Sequence, residues 1–158
     1  MKSANVFLTR LGEVKLGDLN VSTITVQNGL HHTQTGTPYY ASPEVWRDEP
    51  YDKRSDVWSM GVLLYELTTL SLPFKGKSMK DLYDLVCSGE FKPIPASFSK
   101  DLALVLHYTL QVQMQKRPTV EDVLQLPAVA SKLKKVNKLK ARAFKVLSRE
   151  SKNTLSLS

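Results

Sequence analysis

Four times between Ser55 and Leu126 the chain repeats one device: a small polar residue, then apolar residues three and four apart. Ser55-Asp56 is placed to cap a helix running to about Thr69, with Val57, Met60, Leu64 and Leu67 on one face and Pro73 beyond its end. Ser78 with Asp81 forms a variant capping box ahead of Leu82, Leu85 and Val86, and Gly89 supplies the stop. Ser99 opens a third segment with Leu102, Val105, Leu106 and Leu110. Thr119 with Asp122 opens a fourth with Val123, Leu124 and Leu126. Each segment buries one stripe only, so the four must pack on each other, and the fold class is mainly α, a helical bundle.

The first 43 residues read differently. Val6-Phe7-Leu8 and Val14-Lys15-Leu16 flank Leu11-Gly12-Glu13, the pattern of a short β-hairpin. Residues 17–43 have no helical period and carry glycines and prolines, which marks a long functional loop. No apolar run approaches the roughly 20 residues of a membrane span, and Met1-Lys2-Ser3-Ala4-Asn5 lacks the apolar core of a signal peptide. The single cysteine, Cys87, excludes an internal disulfide and points to an intracellular setting, with Cys87 as a packing residue. His31, His32 and His107 do not have the spacing of a zinc site.

Five groups of residues then fall in one order. Lys2-Ser3-Ala4-Asn5 pairs a mobile cation, suited to a phosphate oxygen, with an amide carbonyl suited to a hard metal. Leu16-Gly17-Asp18-Leu19-Asn20 sets a carboxylate just past a strand. Thr33-Gln34-Thr35-Gly36-Thr37-Pro38-Tyr39-Tyr40-Ala41-Ser42-Pro43-Glu44 follows, and then Asp56-Val57-Trp58-Ser59-Met60-Gly61 and Lys116-Arg117-Pro118-Thr119. In this order they resemble the C-terminal lobe of a eukaryotic protein kinase, and within it the NIMA-related (Nek) Ser/Thr group. The resemblance runs from Met1 to about Leu126, giving a partial kinase domain over 1–127 and a tail over 128–158.

The resemblance implies ATP and Mg2+ as cofactors and protein Ser/Thr hydroxyls as substrates. It casts Lys2 on the transferred phosphate and Asn5 and Asp18 on the metal. It makes Thr33 the activating phosphosite, with Thr35 as the alternative, and Thr37 a wall of the substrate pocket. Glu44, Arg117 and Asp56 are structural: Glu44 would pair with Arg117, and Asp56 would hold the catalytic-loop backbone or cap its helix. The Gly-rich loop, the strand Lys and the His-Arg-Asp base would precede Lys2. The expectation is therefore a C-lobe without its N-lobe and catalytic base, inactive alone. The alternative is a non-catalytic lobe acting as a binding or scaffold protein.

The charge is uneven. Of the net +7, residues 1–130 contribute 13 basic against 14 acidic side chains, and residues 131–158 contribute 9 basic against Glu150 alone. Leu133, Val136, Leu139, Ala143, Val146 and Leu147 recur at three- and four-residue steps among those cations. A basic amphipathic helix is expected, either solvated or docking on an acidic partner such as a tubulin-like surface or anionic lipid. No specific nucleic-acid reader is present. By family resemblance the setting is cytoplasmic, with the cytoskeleton, centrosome or cilium as sites.

Overall fold

The computed structural model describes residues 1–10, 12–17 and 38–139. It is mostly helical with one two-stranded sheet. Two compact units divide the chain, one from Met1 to Val120 and one starting at Glu121.

The hairpin forms where the apolar runs predict it. Strands β1 (Val6–Leu8) and β2 (Val14–Leu16) pair antiparallel, with Val6 opposite Leu16 and Leu8 opposite Val14. Gly12 makes the turn possible with φ 75°, a left-handed conformation that costs glycine nothing. Thr9 closes the turn: its N–H donates to the Glu13 carbonyl at 2.8 Å, and its Oγ1 accepts the Glu13 N–H at 3.0 Å. Beyond β2, the Gly17 N–H donates to the Asn5 carbonyl at 2.8 Å, which extends the register by one pair. Phe7 lies over Gly17, where a Cβ would come 2.5 Å from its ring.

A single helical turn, α1 (Pro43–Trp46), was not expected from the sequence. Pro43 sits in its first turn, where its missing N–H is no loss. Next comes α2 (Arg54–Thr69), the central helix. Its cap differs from the sequence expectation. Ser55 and Asp56 lie inside the first turn, and the Arg54 N–H is taken by the Asp52 carboxylate at 2.7 Å. Its far end falls where the sequence places it: the helix runs to Thr69, and Leu70 closes it at φ 55°, three residues before Pro73.

Helices α3 (Met79–Ser88) and α4 (Lys100–Thr109) follow their sequence signals closely. Ser78 Oγ accepts the Asp81 N–H at 3.1 Å, and Ser99 Oγ accepts the Leu102 N–H at 3.2 Å. Gly89 ends α3 at φ 71° with Val112 against its α-carbon. Helix α5 (Val120–Gln125) starts directly after Thr119, and residues 127–139 continue as a helix, α6.

In the first unit, α2 packs on α4 and α1 on α3. The core gathers Trp58, Val62, Phe74, Leu82, Val86 and Leu110. Trp58 and Phe74 stack with ring centroids 5.5 Å apart, and Phe91 meets Phe74 and Tyr65 edge-on at 6.0 and 5.6 Å. Such aromatic pairs contribute about 1 kcal/mol each beyond the area they bury. The buried face of α2 is broader than the expected stripe. Trp58, Val62 and Tyr65 are buried, whereas Leu67 is 67% exposed. A helix covered on several sides has no single apolar face for a periodicity to reveal.

Candidate functional site

Lys2 and Asn5 frame a 3₁₀ turn over Ser3–Asn5, with the Asn5 N–H donating to the Lys2 carbonyl at 3.0 Å. Lys2 is exposed and extended, so its ammonium is free to move. Asn5 is half-buried, and its side-chain amide makes no hydrogen bond among the described residues. The backbone bond from Gly17 to Asn5 places Asn5 opposite Gly17, the residue that precedes Asp18 in the sequence. An amide carbonyl here suits a divalent cation, which prefers oxygen donors. Asp18, Leu19, Asn20, Thr33, Thr35 and Thr37 lie outside the described residues.

The segment after Pro38 is fixed at its far end by a buried ion pair. Glu44 on α1 and Arg117 are 3% and 2% exposed. The guanidinium meets the carboxylate bidentately, Nη1 to Oε1 at 2.7 Å and Nη2 to Oε2 at 3.0 Å. The remaining Arg117 donors reach the Arg54 carbonyl at 2.8 Å and the Gln111 carbonyl at 3.1 Å. Ser55 Oγ donates to Glu44 Oε1 at 2.6 Å, and the Trp58 ring stacks 5.2 Å from the Arg117 Cζ. Burial pushes the Glu44 carboxyl up, but Arg117 and then Ser55 outweigh it and hold it at about 2. The pair is thus fully hydrogen-bonded, the condition under which a buried ion pair is tolerated. Its partners come from α1, both ends of the Arg54–Ser55 turn and the loop after α4, so it ties the 38–44 segment to three parts of the unit.

Tyr40 forms a second anchor, which sequence reasoning missed. Its carbonyl accepts from Ser59 Oγ at 2.8 Å. Its phenol donates to Glu66 Oε2 at 2.6 Å and lies 2.8 Å from Ser3 Oγ. Burial, and then the hydrogen bond to the Glu66 carboxylate, raise the Tyr40 phenol above its ordinary value of 10. Ser55, Ser59 and Glu66 sit four and seven residues apart, close to whole turns of a helix, and so form one polar rail along α2. Ser55 takes Glu44, and Ser59 and Glu66 take the two ends of Tyr40. A polar row at helical spacing on an otherwise apolar helix is the signal that could have found it. Asp56 is exposed in the first turn of α2, and its carboxylate has no partner among the described residues.

The protein kinase domain family matches residues 1–129. The chain belongs to the protein kinase family. It is 42% identical over 137 residues to a serine/threonine-protein kinase relative from Trypanosoma brucei brucei, covering 85% of this chain and 32% of that protein. It is 38% identical over 130 residues to the serine/threonine-protein kinase Nek5 of Homo sapiens, covering 80% of this chain and 18% of that protein. Against Nek1 of Mus musculus the identity is 38% over 138 residues, covering 85% of this chain and 11% of that protein. This kinase chain therefore spans about a third or less of the length of these relatives, and its helical unit with a single hairpin is part of a kinase domain, its C-lobe.

Within that lobe the structure brings Glu44 to Arg117 and Asn5 to the neighbour of Asp18. It does not join Asp56 to the 2–5 turn among the described residues. Ser3 reaches Tyr40 instead, so the 2–5 turn and the segment after Pro38 touch through two hydroxyls.

Proposed function

We propose that this chain is the substrate-docking lobe of a NIMA-related Ser/Thr protein kinase, which transfers the γ-phosphate of ATP to protein hydroxyls. The observation that supports the reading is the hairpin register, which sets Asn5 beside Gly17, the residue before Asp18 in the sequence. When bound, Mg2+ and ATP supply the charge neutralisation and the phosphoryl group. Asn5 and Asp18 would hold the metal, and Lys2 would meet the transferred phosphate. Phosphate on Thr33, or on Thr35, would order the loop, and Thr37 would shape the acceptor site. The anchoring of Tyr40 and Glu44 gives that loop a fixed end to fold against.

The 158 residues hold no His-Arg-Asp triplet and no Gly-rich phosphate loop. Phosphoryl transfer needs those parts in position together. On this reading the chain alone is inactive, and transfer requires those parts. The test is incorporation of radiolabelled γ-phosphate into a Ser/Thr protein substrate. The chain alone should give none, while the protein extended by its upstream lobe labels substrate and loses this on Asp18→Ala. Labelling by the chain alone refutes the inactivity. An extended protein with no Asp18-dependent labelling refutes the kinase reading.

A second reading rests on the exposure of residues 131–139, every one of which faces solvent. The tail over 128–158 is a docking element for an acidic surface, tubulin-like or lipid, and would place the kinase at the cytoskeleton, centrosome or cilium. No helix among the described residues is long and apolar enough to cross a membrane. Deleting residues 131–158 should abolish partner capture without touching phosphotransfer by the extended protein.

A further inference from the structure

Within the second unit, α6 presents a basic amphipathic surface. Residues 131–139 carry Lys132, Lys134, Lys135 and Lys138 and no acidic side chain. Leu133, Val136 and Leu139 remain 43%, 46% and 53% exposed. At 3.6 residues per turn these three fall in one arc of about 120°. Lys134, Lys135 and Lys138 fall together on the opposite side, within about 100°. Lys132 lies inside the apolar arc, where its four-carbon stem can follow apolar surface while the ammonium reaches outward. The sequence keeps the period beyond residue 139 except at Lys140, which like Lys132 falls within the apolar arc. Ala143, Phe144, Val146 and Leu147 continue the apolar positions, and Arg142, Lys145 and Arg149 continue the basic ones.

Resting on the reading of this tail as a docking element, we propose that its partner is an anionic lipid bilayer and that α6 lies in the headgroup plane with Leu133, Val136 and Leu139 inserted. Three observations favour a bilayer over a macromolecule. A nucleic acid would be bound by the cations alone and leave the apolar arc in water. A protein groove is filled by large anchors, whereas the described arc offers only leucines and one valine, interrupted by Lys132. A bilayer asks for apolar area on one side and cations on the other, with no shape to match. The cations of residues 131–139, with no acidic side chain among them, suit the negative potential of an acidic leaflet.

The test is flotation of the 158-residue chain with vesicles of phosphatidylcholine alone, or with a quarter of the lipid replaced by phosphatidylserine, at about 0.1 M salt. Binding to the phosphatidylserine vesicles only is expected, and raising the salt should release it. Each single Lys→Ala change at 134, 135 or 138 should weaken partitioning about fivefold. Lys134→Glu with Lys135→Glu and Lys138→Glu should abolish it, and Leu133→Ser with Leu139→Ser should weaken it about tenfold or more. All are surface changes, so folding is not at stake, and circular dichroism verifies it. Absence of flotation, or equal flotation with phosphatidylcholine alone, overturns the proposal. So does binding that needs the lysines but ignores the leucines. Capture by a polyglutamate peptide without vesicle binding would reassign the tail to an acidic protein partner. Phosphotransfer by the extended protein is read separately, so neither result bears on the kinase reading.

Discussion

The Glu44–Arg117 pair gives the sharpest test of how this lobe is held together. Removing Glu44 leaves the Arg117 guanidinium buried beside Trp58 with only two backbone carbonyls. Stranding one charge of a buried pair costs about 3–5 kcal/mol. Whole domains have only about 5–15 kcal/mol to lose. Glu44→Ala should therefore approach unfolding, and Glu44→Gln, which keeps the shape and one acceptor, should lose less. The pH dependence separates charge from shape. The Glu44 carboxyl sits at about 2 against an ordinary 4.5, and a depressed acid stabilises the folded state above its unfolded value. That stabilisation, about 3 kcal/mol at about 1.4 kcal/mol per pH unit of depression, is present in full above pH 4.5. It fades as the pH falls through about 2.

Urea denaturation followed by circular dichroism reads this directly. The gap between the natural chain and Glu44→Gln should be widest at pH 6–7 and shrink steadily between pH 4.5 and 2. A gap that stays constant across that range would show that the carboxylate charge contributes nothing. The double change Glu44→Leu with Arg117→Met should recover much of the single-variant loss, because a well-packed apolar pair carries no desolvation cost. A double variant as unstable as the sum of both singles would refute the coupling.

Three further outcomes follow from the geometry. Tyr40→Phe should cost about 1–2 kcal/mol in urea denaturation, for the hydrogen bonds lost to Glu66 and Ser3. Alkaline absorbance titration should lose a tyrosine ionising above pH 10; because the raised phenol stabilises the fold only while protonated, stability should fall as pH climbs past 10. Gly61→Ala should cost about 1–3 kcal/mol, since a Cβ there meets Thr109 Oγ1 at 2.5 Å where α2 crosses α4, and an unchanged melting temperature would contradict that packing. Leu70→Gly should stabilise the chain by about 1 kcal/mol, because Leu70 is 91% exposed and holds a left-handed φ of 55° that glycine adopts freely.

The sequence announced α3 and α4 through local chemistry: Ser78, Ser99 and Gly89 each act within four residues of themselves. The hairpin was legible for the same reason. Errors arose where the deciding contact is distant or where several signals compete. At the start of α2, Asp52, Ser55 and Asp56 are all good capping types, and only the backbone path shows that Asp52 reaches Arg54. Its end, by contrast, was read correctly at about Thr69, where Leu70 adopts the left-handed φ of 55° that closes the helix. Helix α1 is too short for any period to mark it. Within the site, Lys2, Asn5, Asp18 and Arg117 could be nominated through family resemblance alone, since nothing local links Glu44 to a residue 73 positions away. Tyr40 went unnoticed because its partners, Ser3 and Glu66, are 37 and 26 residues distant.

The polar rail on α2 explains why the anchoring survives on a helix that is otherwise core. A central helix must be apolar on most sides, yet the segment it supports is a loop whose backbone groups need partners. Ser55, Ser59 and Glu66 resolve that conflict in one row. Two are small enough to let the segment approach, and Ser59 can bond a carbonyl at 2.8 Å while remaining buried. Spacing by near-whole turns keeps the row straight, so Glu44 and Tyr40 are held in register four residues apart. The row also reaches back to the 2–5 turn through Ser3 and Tyr40. A shift of the 38–44 segment along α2 would therefore break bonds at Glu44, Ser59 and Glu66 together and disturb the turn that carries Lys2 and Asn5. The rail thus fixes the segment from Pro38 to Glu44 at three points on one helix.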